Sequence, residues 1–146
     1  MNRGPKNVIF FIFVFFCISL ISGLFFIPQA FSKASILDSP VSEANLIELT
    51  NQVRAVKELS PLVPNEQLRN AAMSKANDLI KNNYFSHNSP KGKAFNIWIE
   101  DAGYEYQIIG ENLATGYDTN RDAMKAWMDS PTHRENILNN KYREIG

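Results

Sequence analysis

From residue 43 onward, apolar residues recur at helical spacing. Leu46, Leu49, Val53 and Val56 stand at i, i+3, i+7 and i+10, with Asn51, Gln52 and Arg54 between them. That spacing predicts an amphipathic helix over residues 43–58, ended by Ser60-Pro61. Asn65-Glu66 has the form of an N-cap, and Leu68, Ala71, Ala72, Leu79 and Ile80 make a second apolar stripe running to Lys81-Asn82-Asn83. A shorter helix is expected over residues 95–102, closed by Gly103 where a left-handed cap is wanted. Thr119-Asn120-Arg121-Asp122 reads as a capping box opening a helix through Trp127 and Met128. Ser130-Pro131 restarts one, with Ser as N-cap and Pro at the first helical position. Strand signals are thin: residues 104–109 are aromatic and β-branched, and a second strand is expected near Tyr142. Helices with a few late strands predict an α+β fold.

The periodicity does not extend to the N-terminus. Residues 8–27 are 20 consecutive residues without a charge, preceded by Arg3 and Lys6 and followed by Pro28 and Lys33. A run of that length matches a membrane-spanning helix of about 20 residues. Ser32-Lys33-Ala34 also offers a small-x-small cleavage site. Residues 1–34 are therefore read as a membrane anchor or a signal peptide. Either reading sends the rest of the chain outside the cytoplasm, because the basic flank stays in. Residues 35–42, SILDSPVS, are small and polar and suit a linker rather than a packed element. Residues 43–146 then form the folded domain, long enough for one core but a marginal one without staples.

Charge and cysteine content narrow the chemistry. The chain carries 15 Lys+Arg and 15 Asp+Glu, but all the acids lie beyond residue 34, so the domain is slightly acidic. That argues against a phosphate-binding surface and against nucleic acid as a partner. Cys17, the single cysteine, lies in the apolar run, which excludes disulfides and thiolate metal sites from the domain. The two histidines are His87, in Phe85-Ser86-His87-Asn88, and His133, in Ser130-Pro131-Thr132-His133. They form no helical pair, so any joint site must be assembled by the fold. His133 falls in the first turn of its helix, where the macrodipole disfavours an imidazolium and leaves a neutral ring as ligand or base. Glu111 leaves an apolar stretch beside Gly110, and is either aimed at a site or tied to nearby backbone. The amides of Asn112 and Asn136 suit holding such a loop. Ser86 and His87 are neighbours pointing to opposite faces and cannot pair, while the Ser130 hydroxyl is explained by capping. Trp98, Trp127, Met124 and Met128 read as core.

Taken in order, Asn51-Gln52-Val53-Arg54, Phe85-Ser86-His87, Gly110-Glu111-Asn112-Leu113-Ala114 and the segment Ala126-Trp127-Met128-Asp129-Ser130-Pro131-Thr132-His133-Arg134-Glu135-Asn136-Ile137-Leu138 closely resemble the CAP superfamily. This is the extracellular domain shared by cysteine-rich secretory proteins, venom antigen 5 and plant pathogenesis-related proteins, and the match is to its bacterial branch. The resemblance implies an α-β-α sandwich with a central antiparallel sheet and an open cleft holding two histidines and two acids. His87 and His133 match the histidines and Glu111 the first acid. Asp129 is the available substitute for the second, Ser130 standing at the aligned position. Zinc on His87 and His133 is the cofactor the resemblance implies, although two imidazoles alone bind weakly. Family members continue past the Tyr142-Arg143-Glu144-Ile145-Gly146 segment into further strands, so the C-terminal strands are expected to be missing.

Three functions follow as expectations. The first is an extracytoplasmic module, joined to a membrane through residues 8–27, whose His87, Glu111, His133 and Asp129 cleft binds a lipid, a peptide or an envelope component. The second is a zinc-assisted hydrolase of peptides or esters with Glu111 as catalytic base. The third is a structural or adhesive ectodomain.

Overall fold

The caps and apolar stripes become five helices among the described residues, 37–146, of a computed structural model. The apolar run at 8–27, Cys17 and the anchor or signal segment lie outside the described residues. Helix α1 spans Glu43–Val56, α2 Glu66–Lys81, α3 Phe95–Asp101, α4 Asn120–Asp129 and α5 Pro131–Ile137. Strand β1, Val63–Pro64, precedes α2, and β2, Glu144–Ile145, follows α5. Among the described residues no helix is long and apolar enough to cross a membrane. Helix α2 packs on α3, while α4 packs on both α1 and α5. The fold is α+β, as the pattern predicts. Its core is formed by Leu49, Leu62, Ala71, Trp98, Ala123, Met124 and Ile137.

The caps behave largely as their residue types dictate. Asn65 Oδ1 accepts from the amides of Gln67 and Leu68, satisfying two donors that the first turn of α2 leaves unpaired. Thr119 Oγ1 accepts from the Asp122 amide at 3.2 Å and donates to the Asp122 carboxylate at 2.8 Å. Gly103 closes α3 at φ +75°, a conformation that a side chain would strain. Ser130 departs from expectation. It occupies the N-cap of α5 but makes no side-chain capping bond, its Oγ lying 3.3 Å from Thr132 Oγ1.

The helices differ from the predicted stripes in what they bury. Val56, expected in the apolar face of α1, is exposed, and the helix buries Leu49, Thr50 and Arg54 instead. Arg54 is 0% exposed. Its Nε donates to Ser60 O at 2.9 Å, and its Nη1 donates to the carbonyls of Ile137 and Asn139 at 2.8 and 2.9 Å. The guanidinium thereby ties α1 to the end of α5 and to the turn after itself. Its Nη2 is buried with no hydrogen-bond partner. Burial, and then the neighbouring Arg143, lower its pKa. Asn120 is likewise fully buried. Its Nδ2 donates to Ser39 O, Ser39 Oγ and Pro40 O at 3.0 Å, and its Oδ1 accepts from the Ser42 amide. The linker expected over residues 35–42 is thus, from Ser39 onward, a strap fixed to the start of α4. An isolated antiparallel bridge between Pro40 and Thr119 completes it.

The sheet corrects two expectations. The strands pair in parallel, Val63 with Glu144 and Pro64 with Ile145, whereas the motifs imply an antiparallel sheet. Four helices separate the two strands, which supplies the long crossover that a parallel pair requires. Val63 N donates to Arg143 O and Asn65 N to Ile145 O, so Pro64 sits where the ladder needs no donor. The strand predicted at residues 104–109 does not form. Its aromatic residues are instead spent on side-chain bonds: Tyr104 donates to Glu144 and Tyr106 to Glu100.

The first of those bonds makes stability depend on pH. The Tyr104 phenol (2.6 Å), and after it the Asn65 amide (2.9 Å), hold the Glu144 carboxyl below the usual carboxylate range. The same bond, followed by burial, pushes Tyr104 up to about 12. A depressed carboxyl contributes fully above its unfolded pKa, about 4.3 for glutamate, and loses that contribution as pH falls through the lower folded value. The phenol's contribution is complete below its unfolded pKa and is lost as pH rises through about 12. Urea unfolding as a function of pH should therefore show an acid limb that Tyr104→Phe makes shallower. An unchanged acid limb in that variant would remove Glu144 as its source.

Candidate functional site

The site is built on two loops, the first tied down by a buried lysine and the second by half-buried side chains. The first follows α2. Asn83 takes up φ +49°, a left-handed conformation that asparagine tolerates, and turns the chain back along the helix. Residues 84–87 then lie over Lys75, which is 3% exposed. Its Nζ donates to Ser86 O at 3.0 Å, His87 O at 2.9 Å and Tyr84 Oη at 3.3 Å. It also stands 4.2 Å from the centroid of the Trp98 ring. Tyr84 in turn donates to the Asp78 carboxylate at 2.6 Å. Burial, and then that bond, push the Tyr84 phenol up to about 12. Burial is also the leading influence on Lys75, lowering its pKa against the opposing pull of Glu111 and Asp78.

The second loop is residues 110–113, held to α4 and α5 by one side chain from each helix and by its own Asn112. Trp127 Nε1 donates to Leu113 O at 3.1 Å, and Asn112 Nδ2 donates to His133 O at 3.0 Å. Asn136 Nδ2 donates to Asn112 Oδ1 at 2.9 Å and to Glu111 O at 3.3 Å. The two amides hold the loop as their positions in the sequence suggested. Gly110 permits the approach: a Cβ there would lie 2.5 Å from Tyr142 Oη and 2.8 Å from Asn136 Oδ1.

Together the loops bring His87 and Glu111 into contact, with His87 Nδ1 2.7 Å from Glu111 Oε1. A carboxylate only accepts, so the shared proton sits on Nδ1, and in the neutral ring Nε2 is then the nitrogen that keeps its lone pair. The His87 side chain is 56% exposed and that of Glu111 15%. The ring meets Phe95 edge-on at 6.4 Å. Glu111 also belongs to the wall of an open cavity of about 630 Å³, lined by Ala72, Ala76, Leu79, Trp98 and Ile137 among others. Neither histidine lines it.

The other two predicted residues stand apart from this pair. His133 engages the site through its backbone carbonyl, and its ring makes no hydrogen bond among the described residues. Asp129 pairs with Lys125 one turn earlier on the exposed side of α4. Among the described residues no three His, Cys, Asp or Glu side chains are grouped to hold a metal. The residues present therefore fall short of the three protein ligands of a catalytic zinc site. Lys75 is the site residue the pattern missed. Its position was the available signal, because with Leu68, Ala71 and Leu79 it completes the i, i+3, i+7, i+11 stripe of α2, where a lysine is out of place.

Residues 47–146 match the cysteine-rich secretory protein (CAP) family. The chain belongs to that family. Over 105 residues it is 41% identical to YkwD and 32% identical to the membrane protein YlbC, both of Bacillus subtilis (strain 168). Those matches cover 71% and 72% of this chain but 40% and 30% of the relatives, so the chain spans less than half the length of either. Among solved structures it is similar to an extracellular protein containing an SCP domain from Bacillus anthracis str. Ames. The identity is 27% and the TM-score 0.67, over 75% of this chain and 40% of that one. It is also similar to an outer surface protein of Borrelia burgdorferi, with 27% identity and a TM-score of 0.63, over 69% of this chain and 74% of that one. The α-β-α architecture read from the motifs is therefore that of the CAP domain.

The tight approach at Gly110 gives a direct check on the second loop. Gly110→Ala must displace both Asn136 and Tyr142, and is expected to cost about 1–3 kcal/mol of unfolding free energy, the usual range for overpacking. Urea denaturation measures it, and a variant as stable as the wild type would show that the loop is not pressed against α5.

Proposed function

We propose that this chain is an extracytoplasmic binding module of the CAP family, whose recognition element is the His87–Glu111 pair at the edge of the apolar cavity. One observation carries the reading. Glu111, whose carboxylate bonds the exposed imidazole of His87, is also one of the residues that line the cavity. The pair offers an acceptor nitrogen and a carboxylate to the polar group of a ligand, and the cavity offers apolar surface to its hydrocarbon part. A lipid or another amphiphilic envelope component has both. The extracellular and outer-surface neighbours, and the apolar run at residues 8–27 in this sequence, support a location outside the cytoplasm, joined to or released from a membrane.

A hydrolytic reading rests on the same pair, since a carboxylate that fixes an imidazole leaves Nε2 in position as a general base. Among the described residues no hydroxyl or thiol hydrogen-bonds the His87 ring. Binding is therefore preferred.

Equilibrium titration of the full chain in nanodiscs with lysophospholipids and with muropeptides, read by tryptophan fluorescence, tests the proposal. Saturable binding that weakens about tenfold, or about 1.4 kcal/mol, in both His87→Ala and Glu111→Ala is expected. Binding indifferent to both substitutions, or no saturable binding, would contradict it. Ester or peptide turnover abolished by His87→Ala would replace it with the hydrolase.

A further inference from the structure

The most unusual buried group near the site is Lys75. A lysine ammonium is costly to bury, and here it meets no carboxylate within bonding distance. Its three donors are matched by three acceptors: the carbonyls of Ser86 and His87 and the phenol oxygen of Tyr84. The Trp98 ring lies 4.2 Å from the charge, so an aromatic face replaces part of the lost hydration. Lys93, the other cation over Trp98, is engaged elsewhere, its Nζ 2.7 Å from the Asp101 carboxylate.

Two of the acceptors are consecutive backbone carbonyls. Drawing both to one point fixes the peptide planes on either side of the His87 Cα. That leaves the direction of its Cβ, and so the reach of its ring, with little freedom. The loop has few other restraints: Ser86 and His87 are exposed, and neither uses its amide in a backbone hydrogen bond among the described residues.

We propose that Lys75 is a positioning residue for the site, its ammonium clamping the Ser86 and His87 carbonyls so that His87 Nδ1 meets Glu111 and Nε2 faces the ligand. The proposal rests on the reading of the His87–Glu111 pair as the recognition element. It adds a buried charge, supplied by α2, as the part that sets the geometry of that pair. Arginine can preserve the clamp, since it keeps the charge and a fork of donors, whereas methionine keeps the stem and removes every donor.

The experiment is nitrogen-15 NMR of the imidazole rings in the full chain without ligand, at a pH above the imidazole range, where the ring tautomer is read directly. In the wild type, His87 is expected in the Nδ1–H form. Lys75→Met should lose that form in favour of Nε2–H while circular dichroism shows the helices intact. Lys75→Arg should restore it, and Tyr84→Phe, which removes the third acceptor but neither carbonyl, should retain it. If Lys75→Met does not fold, Lys75→Leu, which also removes every donor, takes its place, with the same loss expected. A folded Lys75→Met or Lys75→Leu with the Nδ1–H form unchanged would overturn the role of Lys75 while leaving the His87–Glu111 pair standing. A wild type in the Nε2–H form would overturn the pair itself, and with it the proposed recognition element.

Discussion

The amide of Asn136 is the joint on which the site depends. It reaches from α5 to the carbonyl of Glu111 and to the side chain of Asn112, and Asn112 returns the connection to the carbonyl of His133. A loop carrying a carboxylate has no regular ladder to satisfy its polar groups, so side chains of the neighbouring helices must do so. Here they do it close to the backbone, through Gly110, and the loop can lie flat against α5.

The same device recurs through the domain. Arg54 gathers three carbonyls at the junction of α1 and α5, Asn120 gathers the entering strap, and Lys75 gathers the loop that carries His87. The apolar core is small and the sheet has two short strands. Fixing the irregular segments therefore falls largely to buried donors on helices. Each such donor is stabilising only while its acceptors are in place, because an unsatisfied buried group costs about 1–3 kcal/mol. That asymmetry favours one loop arrangement over its alternatives.

What the sequence made legible follows from this division. Helix limits, the Asn65 and Thr119 caps and the Gly103 stop depend on local residue type, and the structure reproduces them within a residue or two. The family resemblance brought His87 and Glu111 to one place across 24 positions, which no local spacing does. The misses concern amphipathic or polar side chains whose role is set by tertiary contacts. Val56 continued an apolar stripe yet is exposed, while Arg54, read as part of the polar face, is fully buried. Residues 104–109 had strand composition but found no partner strand, and their tyrosines took carboxylates instead. A two-residue parallel pairing such as β1 with β2 carries almost no periodicity to read.

Asn136 hydrogen-bonds neither side chain of the pair, and its hold on the Glu111 carbonyl is expected to keep the His87–Glu111 contact in place. A crystal structure of Asn136→Ala tests that dependence most directly. Residues 110–113 are expected to move away from α5, and the 2.7 Å contact between His87 Nδ1 and Glu111 Oε1 to be broken, although both residues are still present. An intact contact at that distance in the variant would contradict it.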